Sequence, residues 1–219
     1  RHNPEFTMLE WYQPGFALLD LMAEVGELLC QVLGDRPVRS YGFADLFARE
    51  FKLDLFSAER IELCQLAEQR HGIPASSLDR DEAINLLFSH DIEPTLGRGE
   101  YSLVRDFPAS QAALARRGRD AQGREVALRF EAFVDGVELA NGYDELLDAD
   151  EQRARFSADL EQRRQRGQVM PPADEKLLAA LAHGLPDCAG VALGLDRLLM
   201  LQLGASSMSE VLAFPIDRA

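Results

Sequence analysis

The sequence predicts an α+β fold, an antiparallel sheet flanked by helices. Three observations point to the sheet and helices. Strand-favouring segments recur at 5–12, 101–107, 125–133, 137–141 and 190–195. Asp135-Gly136 is a two-residue turn of the kind that joins paired strands into a hairpin. Helical periodicity falls in separate blocks, without the strand–helix–strand alternation of a parallel sheet.

Residues 5–12 (EFTMLEWY) are aromatic and β-favouring, and Pro14-Gly15 is expected to break them. Residues 16–33 set Leu18, Leu19, Met22, Val25, Leu28, Leu29 and Val32 at helical spacing, with Gly34 as the stop. Residues 42–91 read as three short helices, Ser57 and Asp79 capping two of them. That stretch carries no recognisable site chemistry and reads as a helical insertion or lid. Residues 148–166 form a charged helix whose interleaved arginines and carboxylates suit a solvated face. A helix at 175–183 ends at Gly184, and the apolar strand 190–195 runs into a helix at 196–203.

The chain has 219 residues, 47% of them hydrophobic, enough for one domain or most of one. Lys+Arg number 23 against 37 Asp+Glu, a net charge of -14. That balance argues against gripping a long nucleic-acid backbone but leaves room for a small nucleotide site. Cys30, Cys64 and Cys188 lie far apart with no CxxC pair, so neither a disulfide framework nor a zinc site is expected. No apolar run is long enough to span a membrane, and the first residues do not resemble a signal peptide. A cytoplasmic protein without a membrane partner is the expectation.

Three constellations could carry chemistry. On the first strand, alternation puts Phe6, Met8, Glu10 and Tyr12 on one face, a carboxylate beside a phenol that suits an ammonium group. An ordinary strand with one solvated carboxylate fits the same pattern. Across the hairpin, a two-residue loop makes Phe133 face Glu138 and Glu131 face Ala140. Glu131 and Glu138 are then diagonal neighbours on one side. Paired carboxylates repel unless a cation lies between them, and magnesium carrying nucleotide phosphates suits that role. Alternation sends Asn141, Tyr143 and Glu145 to the opposite face unless a bulge, for which Gly142 is a candidate, turns the strand. A surface hairpin with scattered acids is the alternative. Third, GVALGLDR (190–197) runs a strand into a helix with Arg197 in its first turn. A cation there opposes the helix dipole unless an anion such as a triphosphate joins it, or a neighbouring acid pairs with it.

Together these segments resemble the class II aminoacyl-tRNA synthetases of the lysyl branch. RHNPEFTMLEWY is similar to the second half of motif 2, RFEAFVDGVELANGYDEL to the lysyl-type hairpin before motif 3, and GVALGLDRLLML to motif 3. The resemblance covers nearly the whole chain, including HGLPDCAG. It implies a catalytic domain over 1–219 that starts inside motif 2, with the helical insertion at about 42–91, and an ATP-dependent adenylate-forming ligase that acts as a homodimer. It implies that His2 contacts ATP phosphates and Phe6 stacks on adenine. Glu131 and Glu138 hold Mg, and Arg197 binds the far end of the triphosphate, Arg197 and Glu138 being the catalytic pair. Glu10, Tyr12, Asn141, Tyr143 and Glu145 line the amino-acid pocket. Tyr143 stands where lysyl enzymes commonly have Phe.

Within that branch the chain is more similar to the paralogues that ligate (R)-β-lysine to elongation factor P. DFPASQAALA (106–115), NPEFTMLEWY with the following Pro14, and Ala140 in ELANGY, where lysyl-tRNA synthetases have Gly, carry the likeness. By the hairpin register above, the Ala140 methyl belongs in the pocket, where it would crowd an α-amino group and tolerate a β-amino group. The resemblance implies (R)-β-lysine as substrate and elongation factor P as partner, with tRNA disfavoured. A lysyl-tRNA synthetase fragment that charges tRNA with α-lysine is the alternative.

Overall fold

The computed structural model describes residues 3–218. Its sheet runs in the order β1 (Met8–Pro14), β7 (Cys188–Gly194), β6 (Val137–Asp144), β5 (Glu125–Val134), β3 (Tyr101–Pro108) and β2 (Val38–Gly42). The short β4 (Arg117–Arg119) pairs with β5 off this path. Every pairing is antiparallel except β2 with β3, which is parallel. β2 and β4 escaped the sequence because VRSYG and RGR are short, largely exposed and without an alternating apolar pattern.

β1 begins at Met8, later than expected, and continues through Pro14 instead of breaking there. Proline is tolerated because β1 is an edge strand, where its missing N–H removes no ladder bond. The odd side of β1 faces α1 (Leu18–Leu33): the Trp11 indole N–H and the Gln13 amide both donate to Glu24, at 2.9 and 2.7 Å.

α1 buries Leu18, Leu21, Met22, Val25 and Leu29 against Tyr101, Phe130, Val191 and Leu193 on one sheet face. Leu19, expected in that stripe, is 62% exposed. α7 (Leu195–Gln202) adds Leu198 to the same layer.

The other sheet face is covered over β3 and β5 by the insertion, α2 (Phe43–Phe51), α3 (Arg60–His71) and α4 (Arg80–Leu87). Phe43 stacks on Phe47 and Phe88 with ring centroids 5.2 and 4.6 Å apart, above Val104, Phe107, Ala127 and Phe133. Asp79 caps α4 in a reciprocal capping box with Glu82, as its sequence suggests. Ser57 does not cap α3; Glu59 holds that position, and the Ser57 hydroxyl donates into the preceding turn at Asp54. α5 (Ala149–Gln165) and α6 (Glu175–His183) pack against each other beyond the sheet.

The hairpin turn forms as the Asp-Gly pair dictates, with Asp135 and Gly136 at φ 49° and 72°. Its register departs from simple alternation. Phe133 faces Glu138 but Ala132 faces Ala140, so Leu139 is an extra residue in a β-bulge. Glu131 therefore faces Asn141, not Ala140.

Candidate active site

The bulge at Leu139 decides which side chains meet. Leu139 and Ala140 both turn into the apolar layer under α1, at 3% and 2% exposure. Beyond them the strand's phase is inverted, and Asn141 and Tyr143 join Glu131 and Glu138 on the open face. Gly142 is not the device. It packs beneath Phe130, whose ring a Cβ there would meet at 2.3 Å. The Ala140 expectation is corrected in the same way: its residue borders the cleft, but its side chain belongs to the core on the far side of the sheet.

Cross-strand register builds the cleft floor. Glu10, Ala192, Asn141 and Glu131 stand in one row, and Tyr12, Gly190, Tyr143 and Arg129 in the next. Met8 and Gly194 begin a third. β7 contributes only Gly190, Ala192 and Gly194 to this face, so it forms a trough between the larger side chains of β1 and β6.

At one end lies a cleft of ≈250 Å³ lined by Phe6, Glu138, Asn141, Gly194 and Arg197, among others. Phe6 is 60% exposed at its rim, an apolar ring with no protein partner over most of its surface. Arg197 sits in the first turn of α7, and its Nη1 donates to the Glu138 carbonyl at 2.8 Å. That helix start is tied to the segment before β1: the Thr7 N–H donates to Asp196 Oδ2 at 2.6 Å and the Leu195 N–H to the Thr7 carbonyl at 3.0 Å. The Arg197 guanidinium thus takes a backbone oxygen, and its charge suits an anion. His2 lies outside the described residues.

At the other end Tyr12 and Glu145 meet above Gly190. A Cβ on Gly190 would stand 2.5 Å from Glu145 Oε1 and 2.6 Å from the Tyr12 ring, so only glycine fits. Burial, reinforced by Asp144 and only partly offset by Arg116, pushes the Glu145 carboxyl up to about 7. The Tyr12 phenol is also raised, by burial and then by the charges of Glu145 and Glu10. Asn141 Oδ1 is buried and has no hydrogen-bond partner among the described residues. The Tyr12 and Glu145 end therefore gathers acidic groups, and between it and the cleft Asn141 leaves an acceptor unused, conditions that a bound ammonium relieves.

Between the two ends lies Glu131. Burial raises its carboxyl most, Arg129 opposes that, and the charge of Glu138 raises it further. Among the described residues no group of three or more His, Cys, Asp or Glu could hold a metal by itself. Two neighbouring carboxylates, Glu138 lining the cleft and Glu131 across the strand pair, nevertheless fit Mg, which takes one or two carboxylates and completes its shell with phosphate and water.

The sequence expectations had passed over Arg129, Gly190 and Ala192. Arg129 lies two residues before Glu131, and the small residues of GVALG recur at period two. Both signals depend on knowing which strands are neighbours.

Residues 1–218 match the family described as tRNA synthetases class II (D, K and N). The chain is 47% identical over 220 residues to proteins named elongation factor P–(R)-β-lysine ligase from Salmonella dublin, Salmonella paratyphi B and Salmonella heidelberg. Each match covers 100% of this chain and 67% of the relative. The chain belongs to this class II family, whose members use ATP, and carries its α+β catalytic fold.

Proposed function

We propose that residues 1–219 of this class II chain belong to a catalytic domain with a helical insertion at about 42–91. The enzyme activates (R)-β-lysine as an adenylate and transfers it to a lysine side chain of elongation factor P. The observation that carries the reading is the run of small β7 residues, Gly194, Ala192 and Gly190, leading from the cleft at Phe6 and Arg197 to the acidic groups at Tyr12 and Glu145. The ligase relatives, 47% identical along the whole chain, supply the substrate and the partner.

In this reading Phe6 offers its exposed ring to adenine. Arg197, already anchored on the Glu138 carbonyl, draws the far phosphate. Glu131 and Glu138 hold Mg, which neutralises the triphosphate when bound. Glu10, Tyr12 and Glu145 take the side-chain ammonium, and Asn141 and Tyr143 border the reacting end. The residues orient the amino-acid carboxylate against the α-phosphate. No protein nucleophile is required, because positioning and charge neutralisation dominate phosphoryl-type transfer. The steric role expected of Ala140 passes to Ala192, whose methyl lies on the trough floor between Glu10 and Asn141. A homodimer in the cytoplasm completes the proposal.

The test is pyrophosphate exchange by the full-length protein with (R)-β-lysine and with α-lysine, followed by a mass measurement on elongation factor P. Preference for the β-isomer and a one-residue mass gain on the factor are expected. Preference for α-lysine with acylation of tRNA would instead establish the lysyl-tRNA synthetase reading.

A further inference from the structure

Arg129 stands on β5 beside the trough, cross-strand from Tyr143, and none of the contacts assigned above requires it. Its guanidinium lies 4.4 Å from the ring centroid of Phe107 and 5.6 Å from that of Tyr143, its cross-strand partner. Nη2 donates to Glu131 at 2.5 Å, and Nη1 donates to the Gln111 carbonyl at 3.3 Å. Nε is buried and finds no acceptor among the described residues. One largely buried cation, 12% accessible, therefore touches β3, the 109–111 turn, β5 and β6.

Such a group is costly to bury, and neutralising Glu131 alone would not need it in this form. A lysine could pair with a carboxylate. A planar guanidinium can lie near two aromatic rings and still donate along two separate directions, which a lysine ammonium on a flexible stem does not reproduce. The arrangement therefore serves more than charge balance. It fixes the ring of Tyr143 relative to the carboxylate of Glu131.

We infer that Arg129 is a positioning residue that locks Tyr143, on the amino-acid side, and Glu131, on the triphosphate side, into one unit, so that filling either subsite prepares the other. The inference rests on the functional reading above for the identity of the two ligands. It predicts a coupling between them. Through such a unit, Mg with a non-hydrolysable ATP analogue should tighten amino-acid binding by about tenfold, within the usual range of coupling between sites.

The test is calorimetry on the full-length protein and its Arg129→Lys variant, with (R)-β-lysine and α-lysine, each with and without Mg and the analogue. Arg129→Lys keeps the charge and loses the planar fork. The expected result is that the coupling ratio falls to about threefold or less while the variant still binds each ligand separately. A Tyr143→Leu variant, which cuts the unit at its other end, should lose the coupling as well. Retained coupling in Arg129→Lys, or none in the unvaried protein, overturns the inference. If the unvaried protein binds neither isomer, the functional reading fails. The positioning role is then decided by the ring resonances of tyrosine-labelled protein during a titration with Mg and the analogue. The Tyr143 signal should move in the unvaried protein and stay still in Arg129→Lys; the same movement in both sinks it.

Discussion

One face of the sheet meets two different environments. Over β3 and β5, Val104, Phe107, Ala127 and Phe133 lie beneath the phenylalanines of the insertion. Over β6, β7 and β1 the same face carries Glu138, Asn141, Tyr143, Ala192, Glu10 and Tyr12 around an open trough. Strand alternation produces both halves. It says which residues share a side, and the helices decide whether that side is core or site. The covered half should therefore respond to mutation in stability, and the open half in ligand binding.

The largest expected effect is in the covered half. Phe47 is fully buried and stacked on Phe43. Phe47→Ala should cost about 3–5 kcal/mol in urea unfolding, from lost burial and the cavity left behind. Activity per folded molecule at low temperature should stay close to that of the unvaried protein. Loss of exchange activity without loss of stability would break the comparison.

Glu138→Gln tests the open half. Pyrophosphate exchange should fall roughly 100-fold, the scale of losing one preorganised electrostatic contact, with unfolding little changed. Wild-type exchange rates would remove Glu138 from the metal site.

Two alanines sharpen the comparison, because they lie on opposite faces of neighbouring strands. Ala192→Gly removes a methyl from the trough floor. It should raise the kcat/KM of α-lysine relative to (R)-β-lysine by the equivalent of about 1–2 kcal/mol. Ala140→Gly removes a methyl from the layer under α1. It should cost stability, about 1 kcal/mol, and leave that ratio alone. A change of selectivity in the second variant and not in the first would reverse the face assignment.

The smallest effect is a pH dependence. Glu145, pushed up to about 7, is largely uncharged at pH 6 and ionised at pH 8. Since its charged form attracts an ammonium, amino-acid KM should fall by a few-fold, about 1 kcal/mol at most, as pH rises between these values. Glu145→Gln should flatten the profile. A KM that rises with pH in the unvaried protein contradicts the assignment.

Much of the fold could be read from residue patterns because its signals are local. The Asp135-Gly136 turn, the Asp79 cap and the period of α1 are each settled within a few neighbours. The even face of β1, with Glu10 and Tyr12, was likewise legible from alternation alone, and the motif order of the three constellations pointed to the family. What the sequence could not supply were long-range choices. β2 exists because β3 lies beside it, and Pro14 is tolerated because β1 has an open edge.

The site turned on one such choice. A single extra residue at Leu139 inverts every side chain after it, sending Ala140 to the core and bringing Asn141 and Tyr143 to Glu131. Phase along a strand is a local property, so the sequence by itself determined which residues could act together within each strand. Phase between strands depends on where a bulge falls and on which partner lies alongside. Only the tertiary structure settled that, and with it where Ala192, Gly190 and Arg129 stand.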